Sequence, residues 1–295
     1  MGRFTILFYL APLAAVPCPA QGPPATDIFL AELRVRDGRV SVSAPVNVTN
    51  RDGYDNQPFF LPDGRALLYT AIGADGQADI YRYDLTTHRS VRVTATPESE
   101  YSPTPTADGG FSVVRVESDS TQRLWRFDPD GSNPRLVLAG IKPVGYHAWA
   151  DEHTVALFVL GSPPTLQLAD TRTGRADTVA RDIGRSLLPV PGGRAVAFVH
   201  KISETQWISQ LDRATREARP LVRTLEGQDF FAWTPDGILL AGKGTKVFQW
   251  TPASGTAWVE IADFAAAGLA DIGRLAVSPR GDRLAIAAIP KTTPR

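Results

Sequence analysis

The sequence predicts an all-β fold, a six-bladed β-propeller of four-stranded antiparallel blades, on three observations. A hairpin signature recurs six times at near-constant spacing. Each copy sits inside the same succession of strand-like segments. The last copy lacks two strands, which residues near the N-terminus can supply.

The clearest copies of the signature are Phe60-Leu61-Pro62-Asp63-Gly64-Arg65 and Trp233-Thr234-Pro235-Asp236-Gly237. Looser copies are Val277-Ser278-Pro279-Arg280-Gly281, Thr106-Ala107-Asp108-Gly109, Val190-Pro191-Gly192-Gly193 and Trp149-Ala150-Asp151-Glu152-His153. Gly64 and its equivalents fall at 64, 109, 153, 193, 237 and 281, a period of 40 to 45 residues. Asp-Gly between two strand-like runs signals a hairpin, because glycine adopts positive φ without a Cβ clash, so a two-residue turn is expected at each copy. His153, standing where the other copies carry glycine, is expected to adopt the same geometry.

The strands follow in order. After each hairpin comes an apolar second strand: 66–70, 111–116, 154–159, 195–199, 238–241 and 284–289. A third strand alternates large and polar residues, as in Ile80-Tyr81-Arg82-Tyr83-Asp84, Leu124-Trp125-Arg126-Phe127-Asp128 and Trp207-Ile208-Ser209-Gln210-Leu211-Asp212. Short fourth strands are expected at 91–94, 136–138, 177–180, 220–222 and 258–261. Four strands per unit of this length is the pattern of a propeller blade. The sixth unit has two strands before Arg295, whereas Asp27-Ile28-Phe29-Leu30-Ala31-Glu32-Leu33 matches a third strand and 42–49 a fourth. Residues 27–49 should therefore complete the last blade and remove an exposed sheet edge. The expected layout is a signal peptide at 1–20, a linker at 21–26, one propeller domain at 27–290 and a tail at 291–295.

Composition fits a turn-dense β protein, with Gly 25, Pro 24 and only 21% charged residues. Thirty-one basic residues balance 31 acidic ones, so no net charge argues for nucleic acid or an anionic membrane. Arg3, the uncharged run 4–16 and the small residue Ala20 read as a secretory leader too short to span a membrane. A periplasmic or secreted protein, acting as a monomer, is expected. Cys18, the only cysteine, lies inside that leader, and Pro17 argues against a lipoprotein signal, so no disulfide is expected. Asn47-Val48-Thr49 fits a glycosylation acceptor but is read as strand.

Three features carry a family resemblance: Asp55-Asn56-Gln57-Pro58-Phe59-Phe60-Leu61-Pro62-Asp63-Gly64-Arg65, then Asp79-Ile80-Tyr81-Arg82-Tyr83-Asp84, then Val91-Arg92-Val93-Thr94. This repeat resembles that of the TolB-type propellers and, more distantly, the WD40-like propellers of prolyl-oligopeptidase relatives. The resemblance spans residues 27–290 as a repeat class and is strongest in the first unit. It implies a propeller that binds a protein or peptide. The α/β domain of TolB and the hydrolase domain of the peptidases have no expected counterpart here, so an activity is not carried over with the fold.

Little catalytic chemistry is legible. Gly184-Arg185-Ser186-Leu187-Leu188 lacks the second glycine of a nucleophile elbow, and His88, His147, His153 and His200 form no zinc-binding spacing. Asp128-Pro129-Asp130-Gly131-Ser132-Asn133 lacks the distal glutamate of a calcium loop and suits a turn. Glu32, Asp84, Asp128, Asp170 and Asp212 end equivalent strands, and once-per-blade repetition argues for a structural role. The tryptophans Trp125, Trp149, Trp207 and Trp233 alternate along strands, as inter-blade packing requires.

The loops entering the first strands differ from copy to copy, as a binding surface on a repeated scaffold would. Candidate binding residues there are Asp55, Asn56, Glu100, Tyr101, Tyr146, His147, Arg185, Gln228, Asp229 and Asp271. No catalytic residue, metal ligand or cofactor is assigned. Acids outnumber bases in these loops, which favours a basic or hydrogen-bonding partner, or a cation in the opening. The leading expectation is a non-catalytic protein- or peptide-binding scaffold of the cell envelope. The alternatives are a metal-assisted, lactonase-like hydrolase using carboxylates in the central opening, and a stand-alone relative of peptidase propellers.

Overall fold

The computed structural model describes residues 23–291; the predicted leader and Cys18 lie outside them. Six antiparallel sheets follow one another along the sequence. The innermost strands are Asp55–Phe60, Ser99–Pro105, Val144–Trp149, Ile183–Pro189, Ala232–Trp233 and Leu269–Val277. Beyond each lie three more strands, as in the first blade with Ala66–Ile72, Ala78–Asp84 and Arg89–Arg92. Among the described residues, no helix is long and apolar enough to cross a membrane.

The sixth blade is closed from both ends of the sequence. Asp27–Arg36 pairs antiparallel with Arg283–Pro290 through six consecutive residue pairs, from Asp27 opposite Ala288 to Glu32 opposite Arg283. The outer strand departs from the expected single segment at 42–49. It is split into Arg39–Val42, paired with Leu33–Arg36, and Val46–Asn47, paired with Phe29 and Leu30. Asp37 and Gly38 turn the backbone early, both at positive φ. Asn47 is built into this closure: its amide donates to Asp27 at 2.7 Å, and its side-chain oxygen accepts from the Asn50 amide.

The hairpins differ in detail from two-residue turns. Leu61 and Ala66 flank residues 62–65, Gly64 N–H donates to the Leu61 carbonyl, and Gly64 alone has positive φ, at 68°. This is a type I turn followed by a left-handed glycine. His153 does not take up that conformation. Its loop closes between Ala150 and Thr154, and the Asp151 carboxylate accepts from the amides of His153 and Thr154 instead. The positive-φ histidine is His88, in the outer turn of the first blade.

Three of the five strand-end acids share one task. Asp84 accepts from the amides of Thr86 and Thr87, Asp170 from Arg172 and Thr173, and Asp212 from Ala214 and Thr215. Backbone donors hold the carboxyls of Asp84 and Asp212 below the ordinary range. Asp170, hydrogen-bonded first by the Arg172 side chain, is held at about 2. In the calcium-loop-like segment of the second blade, Asp128 instead pairs with Arg135 and Asn133, and Asp130 accepts from Ser132.

Apolar clusters fill the interfaces between neighbouring blades. Trp125, Trp149 and Trp233 pack against three of them, and Trp207 lies under the Arg223 guanidinium.

Candidate functional site

Gln57, Ser102, Tyr146, Arg185, Phe230 and Arg274, one from the inner segment of each blade, line a single cleft of about 90 Å³. A cleft touched by all six blades lies on the propeller axis. A roomier cavity of about 520 Å³ shares Pro58, Phe59, Leu188 and Leu275 with it and continues toward the hairpin end, past Trp233, Val277 and Pro279. Arginines and other polar side chains reach the first cavity, whereas apolar residues dominate the lining of the second.

Broken strand pairing shapes the polar end. Register slips occur between Asn56 and Phe59, Tyr101 and Thr104, Val144 and Tyr146, Ile183 and Leu187, and Ile272 and Arg274. In the fifth blade the innermost strand is only two residues long, and Phe230 lies just before it. A β-bulge inserts an unpaired residue and re-aims the side chains beside it. Gln57 and Ser102 occupy equivalent bulges, each before a proline, with φ of 58° and 56°. The left-handed region costs a non-glycine residue about 1–3 kcal/mol, so these two are held by their surroundings. The Gln57 side-chain oxygen accepts from Thr70 Oγ1 at 2.8 Å and from the Ser102 amide at 2.6 Å, tying the first bulge to the second.

An aromatic and cationic cluster forms the wall. The Arg274 guanidinium lies 3.7 Å from the ring centre of Phe230 and 5.1 Å from that of Tyr146, and donates to Tyr146 Oη at 3.0 Å. Tyr146 meets Phe158 and Phe230 edge-on. Arg185 lies 5.1 Å from Phe230 and donates from Nε to Asp229 at 2.9 Å. Burial pushes the nearby Tyr54 phenol up to about 12, against the opposing pull of Arg274, so it stays a neutral donor at neutral pH.

His147 also lines the cleft, with 5% of its surface exposed. Burial lowers its pKa to about 3, so the ring is neutral at pH 7. Ser112 Oγ sits 2.6 Å from His147 Nε2 and accepts from Trp149 Nε1 at 2.8 Å. Ser112 is fully buried among these groups, so the serine–histidine contact joins the second and third blades.

Of the ten predicted binding residues, Tyr146, His147 and Arg185 line the cleft, and Asp229 orients Arg185. Asp55 is fully buried and paired with Arg51, while Asn56 bonds Thr26 and its own neighbour Gln57. Both fasten the N-terminal segment to the first blade, where Thr26 bridges Tyr54. Glu100 pairs with Arg115 inside the second blade. Tyr101 packs against the core between the second and third blades, Gln228 sits in the turn after Leu225, and Asp271 is exposed at a bulge.

The expected excess of acid in the opening is reduced at three positions. Asp55, Glu100 and Asp229 are matched by Arg51, Arg115 and Arg185. Among the described residues, Arg274 has no carboxylate within ion-pair distance. Loop composition missed it because Arg274 lies within a strand, re-aimed by the bulge at Gly273. The available signals were Gly145, Gly184 and Gly273, and the Gln57-Pro58 and Ser102-Pro103 pairs at the repeat spacing. Among the described residues, no three His, Cys, Asp or Glu side chains gather as a metal site would need.

No protein-family model matches the sequence. Its fold is that of the TolB-like propellers. A structure assigned to TolB from Agrobacterium tumefaciens is similar over 89% of this chain and 98% of that one, with TM-score 0.70 and 16% identity. TolB from Acinetobacter baumannii is similar over 90% of this chain and 64% of its own, with TM-score 0.61 and 13% identity. A gluconolactonase from Xanthomonas campestris is similar over 92% and 100%, with TM-score 0.63 and 10% identity. At these identities the likeness establishes the architecture, which serves binding proteins and enzymes alike.

Proposed function

We propose that this protein is an exported, monomeric, TolB-like propeller of the bacterial envelope that binds a segment of a partner protein or peptide in its axial cleft. One observation carries the reading: all six innermost segments converge on a cleft whose wall is the Tyr146, Phe230, Arg274 and Arg185 cluster. Buried aromatic and arginine side chains dominate binding energy at protein interfaces. The bulged strands beside them set these side chains apart from the regular blade pattern. The lactonase-like alternative needs convergent free carboxylates, and the acids nearest the opening are paired with arginines.

Immobilised wild-type protein and a Tyr146→Ala/Phe230→Ala variant, challenged with bacterial envelope extract, test this. Recovery of the bound partner is expected to fall roughly tenfold or more, the effect of removing buried aromatic anchors. Equal recovery by a variant that keeps the wild-type circular dichroism spectrum would move the partner away from the axial cleft.

A further inference from the structure

The chemistry of the cleft is one-sided: its charged and polar wall is made chiefly of donors. A guanidinium has five N–H donors and no acceptor. Arg274 directs one of its nitrogens to Tyr146 Oη and has no carboxylate partner among the described residues, while its plane is held against Phe230. Arg185 stands on the same aromatic ring with a carboxylate, Asp229, already bound to it. Two further polar atoms of cleft-lining residues, Ser102 Oγ and His147 Nδ1, are buried without a hydrogen-bond partner among the described residues. The Ser112 hydroxyl has two acceptors in reach, the Thr104 carbonyl at 3.2 Å and His147 Nε2 at 2.6 Å; donation along the shorter contact leaves the proton of the neutral ring on Nδ1 as another donor, and donation to Thr104 makes Nδ1 an acceptor. A buried polar group left unpaired costs about 1–3 kcal/mol, which a ligand group of matching character recovers.

Resting on the proposal that a peptide occupies the cleft, we infer that the group recognised there is a carboxylate flanked by an apolar side chain, with Arg274 as the charged anchor. A planar guanidinium matches a carboxylate with two parallel hydrogen bonds, and stacking on Phe230 fixes the plane in advance. The apolar neighbour packs toward Phe59, Leu188 and Leu275, which line both cavities. The second cavity, with Trp233, Val277 and several prolines, favours an aliphatic or aromatic side chain over the hydroxyl-rich body of a sugar acid. The free C-terminus of a peptide and an internal Asp or Glu both present the required group.

Two immobilised libraries of random heptapeptides test the inference, one with free C-terminal carboxylates and one amidated, probed with wild type, Arg274→Gln and Arg274→Lys. Peptides retained by wild type are resynthesised with each Asp or Glu changed to Asn or Gln. Neutralising one carboxylate is expected to weaken wild-type binding roughly 30-fold or more, the scale of truncating one partner of a buried charge pair. The same peptides should lose comparably on Arg274→Gln, less on Arg274→Lys, and no further when both changes are combined. Loss on amidation assigns the carboxylate to the C-terminus; loss on Asn or Gln replacement assigns it to a side chain. Retained peptides indifferent to neutralising every carboxylate overturn the inference and leave the peptide-binding reading standing. The wild-type arm decides this even if the Arg274 variants misfold. Failure of wild type to retain any heptapeptide removes the peptide reading itself, and binding of tri-galacturonate instead overturns the inferred ligand class.

Discussion

Replacing Arg115 by methionine is expected to lower the unfolding free energy by about 3–5 kcal/mol at pH 7, because it leaves a buried carboxylate without its counter-charge. Arg115 lies directly opposite Glu100 in the second blade. Its Nε donates to Glu100 at 3.1 Å, its Nη1 lies 3.1 Å from Glu98, and its guanidinium sits 4.3 Å from the ring centre of Trp125. Glu100 is fully buried, and without Arg115 its carboxylate keeps neutral hydroxyl partners such as Thr96 but no counter-charge. Methionine restores apolar contact with Trp125 and Phe127 but no charge. The double variant Arg115→Met/Glu100→Gln should recover most of the loss, since a neutral amide needs no counter-ion and still accepts from Thr96.

The pH dependence has a definite sign. Burial raises the Glu100 pKa above its ordinary value even with Thr96 and Arg115 pulling the other way. An acid with a raised folded pKa contributes stability that is complete below its unfolded pKa and is lost as pH rises through the folded value. Removing Arg115 withdraws one of the opposing pulls, so the deficit of Arg115→Met relative to wild type should shrink as pH falls from 7 toward 5. Urea unfolding of the three proteins at both values measures it. A loss under about 1 kcal/mol at pH 7, the range of an exposed pair, would show that the ion pair is already solvated in the native protein.

The blade count, the closure by both termini and the repeated strand-end aspartates were legible because they rest on periodic signals. A hairpin position every 40 to 45 residues, glycine in five of six copies, and alternation along strands survive even where residue identity has drifted. The wall of the axial cleft was only partly legible, since bulges break the same alternation. Tyr146, His147 and Arg185 were found because they adjoin the loops; Gln57, Ser102, Phe230 and Arg274 were not. Charge counting failed for a related reason. Asp55 and Glu100 look like loop acids in sequence, yet each meets an arginine, one four residues earlier and one across a strand pair. A formal charge count does not register such pairings.

Closure of the ring carries the other large expected effect. The first half of Asp27–Arg36 is buried on both faces: Phe29 and Leu33 join Leu240, Ile272 and Leu284 between the fifth and sixth blades, while Ile28 joins Phe60, Leu67 and Tyr69 between the sixth and first. Phe29→Ala should cost about 3–5 kcal/mol and Ile28→Ala about 2–5 kcal/mol, from lost transfer energy and the cavity left behind. The side chains belong to different clusters, so the losses should largely add, reaching most of a typical 5–15 kcal/mol stability. The double variant is expected to be unfolded or insoluble. Val46→Ala, also in the closing blade but 67% exposed, should stay within about 0.5 kcal/mol of wild type. Closure also has an entropic side that the other blades lack. Their strands are contiguous in sequence, whereas pairing Asp27–Arg36 with Arg283–Pro290 joins segments some 250 residues apart, which the (3/2)RT ln n scaling puts at about 5 kcal/mol. Weakening this strand should therefore release the sixth blade first. In Phe29→Ala, native-state hydrogen exchange should accelerate at Leu33 and Ile286 while Val113 and Val114 of the second blade stay protected. Uniform acceleration across all six blades would instead mean that the ring unfolds as a single unit, with no separate opening at its seam.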